Sequence, residues 1–218
     1  MIKFLSAFRV SGLFLLTLSV VQPAIAAKMD LGTHTVVINR LEAIVANLDN
    51  SDSSKIPSSL RLGDLYAERS RLKSLAEVEK NCSNCLKSKQ DRKKAIKLYA
   101  YVIPKLSDQN RGQVMLQKAH LEYALGRLKT AKKIYSKIIK EGRKRHKNNI
   151  LGQAHALLGD DYFQQNHFKS ARQEYNKALS IKSTPQKGLV HYRLSWCLFN
   201  LNYVSKAIST LEMLLTTP

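Results

Sequence analysis

The sequence predicts an all-α solenoid, a stack of helix-turn-helix units preceded by one N-terminal helix. Three features point there. Segments Gly112–Ile139, Gly152–Leu179 and Gly188–Leu215 superimpose without gaps. In both halves of each segment, apolar residues recur at i, i+3, i+4 and i+7, the period of an amphipathic helix. Gly126-Arg-Leu, Asn166-His-Phe and Asn202-Tyr-Val fall mid-segment, where one helix must stop and the next start. A single helix pair cannot cover its own apolar faces, so neighbouring pairs stack.

Residues 1–26 read as a secretory signal peptide. Lys3 and Arg9 precede an apolar run, Val10 to Val21, broken only by Ser11, Gly12, Thr17 and Ser19. Pro23 follows, and Ala24-Ile25-Ala26 has the small-x-small form of a cleavage site. The run is about a dozen residues, short of the roughly 20 that cross a bilayer. Cleavage removes two positive charges from a chain of net charge +20. The expectation is an exported, soluble protein, periplasmic if the organism is a diderm bacterium.

Residues 27–56 are expected to hold a helix over Gly32–Asp49, with Val36, Val37, Leu41, Ile44, Val45 and Leu48 on its apolar stripe, and then a polar linker. That linker, Ser51–Ser59, contains Pro57 near a helix start. Residues 57–108 read as a diverged first unit. Leu62-Gly63-Asp64-Leu65-Tyr66 repeats the pattern Leu158-Gly159-Asp160-Asp161-Tyr162, and Ala95 and Tyr99 match the second half. About twenty extra residues lengthen the two helices, and a loop near Lys80–Gln90 bridges them. Units at 109–143, 150–183 and 186–218 follow. Each places a small residue (Ala119, Gly159, Ser195), an alanine twelve positions later (Ala131, Ala171, Ala207), and a bulky residue four further on (Tyr135, Tyr175, Leu211). The last helix is apolar, whereas a solenoid ends on a polar-faced cap. Either further repeats follow in the natural protein, or this face meets a partner or a second copy.

Composition narrows the function classes. With 44% hydrophobic and 24% charged residues, the chain can bury a core. Three cysteines are too few for a disulfide-built scaffold. Lys and Arg number 36 against 16 Asp and Glu, so an anionic partner is worth considering. In an exported protein that means lipid head groups, cell-wall polymer or acidic proteins rather than nucleic acid.

Leu158-Gly159-x-x-Tyr162, followed by Phe168-x-x-Ala171-x-x-x-Tyr175-x-x-Ala178, resembles the tetratricopeptide repeat (TPR) closely. The flanking units match more loosely. Tyr192-Arg-Leu-Ser-Trp196-Cys-Leu-Phe-Asn-Leu is similar to repeats of exported bacterial envelope TPR proteins. The resemblance implies a right-handed solenoid acting as a non-enzymatic protein-interaction scaffold. It also implies that the first helix of each unit faces a concave groove. On that basis Tyr123, Asp160, Phe163, Tyr192, Trp196, Phe199 and Asn200 are the candidate partner groove, with Asp160 and Asn200 orienting a partner backbone. The other reading of Tyr192, Trp196 and Phe199 is packing against a further repeat. The family's terminal-carboxylate clamp has no match at Leu116/His120, Ala156/Asp160 or Tyr192/Trp196.

No Ser-His-Asp arrangement, phosphate loop or paired-carboxylate site stands out, and no cofactor or metal is expected. Cys82-Ser-Asn-Cys85 lacks a following His for haem and a second Cys or His pair for zinc. A local disulfide suits an oxidising compartment, with zinc binding, redox exchange and two free thiols as the alternatives. Cys197, beside Trp196 on an apolar helix, reads as a core cysteine. His155 and His191 occupy one repeat position and read as structural. Lys132, Lys133, Lys137, Lys140, Arg143, Lys144 and Arg145 form a basic face on the unit's second helix and loop. That face either docks anionic envelope lipid or polymer, or is simply solvated. Salt separates these classes, because polyanion docking weakens steeply with ionic strength and groove binding far less.

Overall fold

The computed structural model describes residues 30–79 and 86–216. The expected signal peptide and Cys82 and Cys85 lie outside the described residues. Among the described residues there are nine α-helices and no strand. The helices are α1 (Leu31–Asn47), α2 (Lys55–Glu79), α3 (Lys87–Val102), α4 (Asp108–Ala124) and α5 (Leu128–Glu141), then α6 (Asn148–Gln164), α7 (Phe168–Ser180), α8 (Lys187–Asn200) and α9 (Val204–Thr216). Short 3-10 turns at Ile103–Lys105 and Gly142–Lys144 follow α3 and α5.

Helix α1 begins where Asp30 caps it, the carboxylate accepting the Thr33 N–H at 2.7 Å. Only His34 and Ile38 of this helix are buried, so much of its apolar stripe stays open. Helix α2 begins at Lys55, inside the segment expected as a linker. Pro57 is its third residue, within the first turn, where a missing N–H breaks no helical hydrogen bond. Helix α3 likewise begins at Lys87, inside the expected loop.

The helices pair as α2–α3, α4–α5, α6–α7 and α8–α9, and each pair packs on the next. The first helices also meet one another, α4 with α6 and α6 with α8. The small and bulky repeat positions make this approach possible. A Cβ on Gly159 would lie 2.6 Å from Tyr175 Cε1, and one on Gly63 would lie 2.9 Å from Tyr99 Cε1. In both units the tyrosine hydroxyl donates to the aspartate that follows the glycine. Tyr175 reaches Asp160 Oδ1 at 2.7 Å, and Tyr99 reaches Asp64 Oδ1 at 2.8 Å. The α2–α3 pair thus shares this glycine–tyrosine–aspartate geometry with α6–α7 despite its longer helices.

Three turns close in one way. Gly126, Asn166 and Asn202 adopt φ of 76°, 58° and 63°. Their N–H groups bond to Tyr123, Phe163 and Phe199 carbonyls at 2.8–2.9 Å. The next residues, Arg127, His167 and Tyr203, each bond to Glu122, Tyr162 and Leu198 at 2.9 Å, the double closure of a Schellman cap. A Cβ on Gly126 would meet nothing within 4 Å, so its requirement is purely conformational. Gly126→Ala is therefore expected to cost about 1 kcal/mol of stability, read from the urea midpoint.

The core is continuous but segmented. Ile38, Tyr66, Tyr99 and Val102 join α1 to α3. Leu116, Tyr135, Ile138 and Leu151 join α4 to α6. Tyr175, Val190, Leu194 and Cys197 join α7 to α8. Lys132 on α5 crosses to the next unit, pairing with Asp161 at 3.1 Å and covering the Tyr162 ring at 4.1 Å. Arg172, at the same register of α7, covers Tyr203 at 5.4 Å. Ile208 holds that register in α9 and is exposed, as are Val204, Leu211 and Leu215.

Candidate functional site: a cleft across three repeats

The first helices α4, α6 and α8 form the walls of one cleft of about 680 Å³, and α5 and α7 supply its floor. Periodicity explains the arrangement. Inward positions recur one helical turn apart on each first helix, as at Tyr192 and Trp196. Tyr123, Phe163, Tyr192 and Trp196 line the walls, and Tyr135 and Tyr175 line the floor. Tyr192 and Trp196 meet edge to face with centroids 6.2 Å apart, and both are nearly half exposed (46% and 45%). The Tyr123 hydroxyl donates to Gln164 Oε1 across the α4–α6 gap at 2.5 Å.

One ionic pair sits inside this aromatic enclosure. Asp160 Oδ2 accepts from Arg193 Nη1 at 2.6 Å, while Oδ1 holds the Tyr175 hydroxyl. Burial raises the Asp160 carboxyl above its ordinary value, and the Tyr175 and Arg193 contacts only partly offset this. Burial also lowers the His120 imidazole at the cleft's α4 side. The cleft thus offers broad ring surface, an anchored carboxylate and a guanidinium held through one nitrogen. Such a surface suits a peptide or helix with an apolar anchor.

The structure brings five of the seven groove candidates together: Tyr123, Asp160, Phe163, Tyr192 and Trp196. Phe199 meets Trp196 edge to face at 6.0 Å outside the lining, and the Asn200 amide donates to its own helix at Trp196 O. Asp160 has both oxygens engaged, Oδ1 by Tyr175 and Oδ2 by Arg193. Sequence reading missed Arg193 as a cleft residue. Its signal was weak, one cationic position beside an inward aromatic.

The remaining candidates divide. Cys197 is fully buried, and burial pushes its thiol up to about 12. His155 Nδ1 lies 2.7 Å from Glu174 Oε2, linking α6 to α7. His191 keeps the same register, with its Nδ1 buried and unpartnered. The basic face is not uniform. Lys132 is spent on Asp161 and Tyr162, and Lys137 lies 3.9 Å from Glu141. Lys133 and Lys140 point to solvent on α5, while Arg143, Lys144 and Arg145 lie on the loop before α6. Among the described residues no group of His, Cys, Asp or Glu could hold a metal ion, and no helix is long and apolar enough to cross a membrane.

Stacked helix pairs with a cleft on their first helices define an α-solenoid. The comparisons with known proteins place it more closely. Residues 152–185 match the family model described as tetratricopeptide repeat. The fold is similar to a Podosopora anserina chain of nearly identical TPR-like repeats of kinesin-light-chain type (TM-score 0.56, 14% identity, 84% of this chain and 86% of that one). It is also similar to the apo form of RapI (TM-score 0.63, 11% identity, 85% and 63%) and to BtubC from P. vanneervenii (TM-score 0.50, 12% identity, 86% and 90%). No curated protein matches. Residues 152–185 thus match a tetratricopeptide repeat, the described residues share the fold of TPR-repeat structures, and this repeat generally mediates protein–protein interaction.

Proposed function

We propose that the protein is an exported scaffold of the cell envelope that seats one protein segment in the α4–α6–α8 cleft. The open aromatic lining contributed by three successive units carries this reading. An apolar side chain of the partner enters between Tyr123, Phe163 and Trp196. The Arg193 guanidinium, with donors beyond the one used on Asp160, meets a partner carbonyl or carboxylate. Export rests on the sequence of residues 1–26.

Trp196 is the sole tryptophan, which makes the cleft self-reporting. Partners captured from an envelope extract should protect Trp196 from acrylamide quenching and change its emission. Tyr192→Ala together with Phe163→Ala should weaken binding by roughly 2 kcal/mol or more, about thirtyfold, in a variant with unchanged circular dichroism. Capture should survive high salt. A partner whose binding leaves Trp196 equally quenchable, and which the variant retains, would rule the cleft out.

A further inference from the structure

We propose that the loop between α5 and α6 forms an anion site that takes a phosphate group carrying more than one negative charge. Residues 143–147 run Arg-Lys-Arg-His-Lys. With Asp108 and Asn148 they bound a separate cleft of about 420 Å³, at the starts of α4 and α6.

His146 fixes the loop in this shape. Its side chain is wholly buried, and Nε2 lies 2.7 Å from Glu141 Oε2. Nδ1 packs over Gly112, close enough that a Cβ there would lie 2.6 Å away. Gly142, at φ 63°, turns the chain out of α5 and accepts the Arg145 and His146 N–H groups. The four cations around this anchor are therefore held on one short, folded segment.

The charge balance of the cleft is one-sided. Glu141 is occupied by His146, Lys137 and Arg111, and Asp108 by Arg111 at 3.3 Å. Arg143, Lys144, Arg145 and Lys147 are exposed and have no acidic partner among the described residues. Lys147 is the residue preceding the first turn of α6, a turn with no acidic side chain and no side-chain cap. Cations there oppose the positive end of the helix and one another, an arrangement that an anion relieves. The α5 face behaves differently, since Lys132 is already consumed by Asp161. Guanidinium pairs and lysines within one concavity match phosphate oxygens through charge-assisted hydrogen bonds.

The test uses tripolyphosphate on the purified full chain, read by calorimetric titration and thermal melting. The comparison sets Arg143→Gln, Arg145→Gln and Lys147→Gln together against Lys129→Gln, Lys133→Gln and Lys169→Gln. Both triple variants remove the same charge from exposed positions. Tripolyphosphate should raise the melting temperature of the wild type. The loop variant should weaken binding by at least about tenfold, and the control by less than about twofold. Equal weakening in both variants, or no wild-type binding at low salt, overturns the proposal. Vesicles of phosphatidylcholine and phosphatidic acid, whose phosphomonoester can carry two negative charges, separate the sources. Vesicle binding lost only in the loop variant, beside a tripolyphosphate response, assigns the site to a lipid head group, and a tripolyphosphate response without vesicle binding assigns it to a free phosphate.

Discussion

Asp91→Ala is expected to lower the unfolding free energy by about 3–5 kcal/mol. Asp91 is 3% exposed and accepts two hydrogen bonds from Arg69, each 2.8 Å, and a third contact from Lys73 at 2.7 Å. Arg69 is itself buried, so removing the carboxylate leaves a charge without a counterion in a low-dielectric site. Burial alone would raise the Asp91 carboxyl. The Arg69 and Lys73 contacts outweigh it and hold the group below its ordinary value of 3.8. Its ionisation therefore favours the fold above that pH, and the contribution disappears as pH falls through the lower folded value. Chemical denaturation of wild type and variant should show a gap that narrows on acidification below pH 3.8. Arg69→Met with Asp91→Leu should recover most of the loss, because no charge is then stranded. A gap that stays constant down to the acid limit would remove the ion pair as its cause.

Gly159→Val is expected to cost about 3 kcal/mol, by overpacking rather than by a lost interaction. The Tyr175 ring occupies the space a Cβ would need, with Cε1 and Cδ1 at 2.6 and 2.7 Å. That ring cannot swing aside freely, since its hydroxyl is bonded to Asp160 and Asp160 to Arg193. The damage should therefore reach the cleft, and Trp196 emission should change even in the fraction that remains folded. Gly188→Ala is the matched control. Its nearest neighbour would be Leu214 Cδ2 at 3.9 Å, an ordinary contact, and urea midpoints should leave it unharmed.

The repeat was legible because its geometry is written in local signals. Spacing alone placed the turns at Gly126, Asn166 and Asn202, and each adopts the left-handed backbone that a helix stop requires. Leu62-Gly63-Asp64 suggested a diverged first unit, and Tyr99 bonds to Asp64 there as Tyr175 bonds to Asp160 in α6–α7. Helix starts were less legible. Pro57 suggested a boundary, but proline is tolerated throughout a first turn, so α2 begins before it. The chemistry of the cleft was only half legible. Periodicity says which side chains face inward but not which of them already satisfy each other. Asp160 looked available until Arg193, 33 residues on, closed over it. Arg69 and Asp91 escaped notice for a related reason. They join helices whose lengths depart from the repeat, so no register linked them.

The packing order along the stack has a kinetic consequence. Among the described residues contacts run mainly between consecutive helices, with α4 also reaching α6 and α6 reaching α8. Among the described residues no major contact joins the far end to the near one, so these helices need not bring distant residues together before any unit is secured. Folding can begin at whichever pair is most stable locally and spread outward. Hydrogen exchange should follow the same geography. Amides of α6 and α7, flanked on both sides, should be slowest, and those of α9, whose outer positions are exposed, should open without waiting for the rest. The cleft lies between these regimes, with rigid walls on α4 and α6 and a third wall, α8, held by the more labile end.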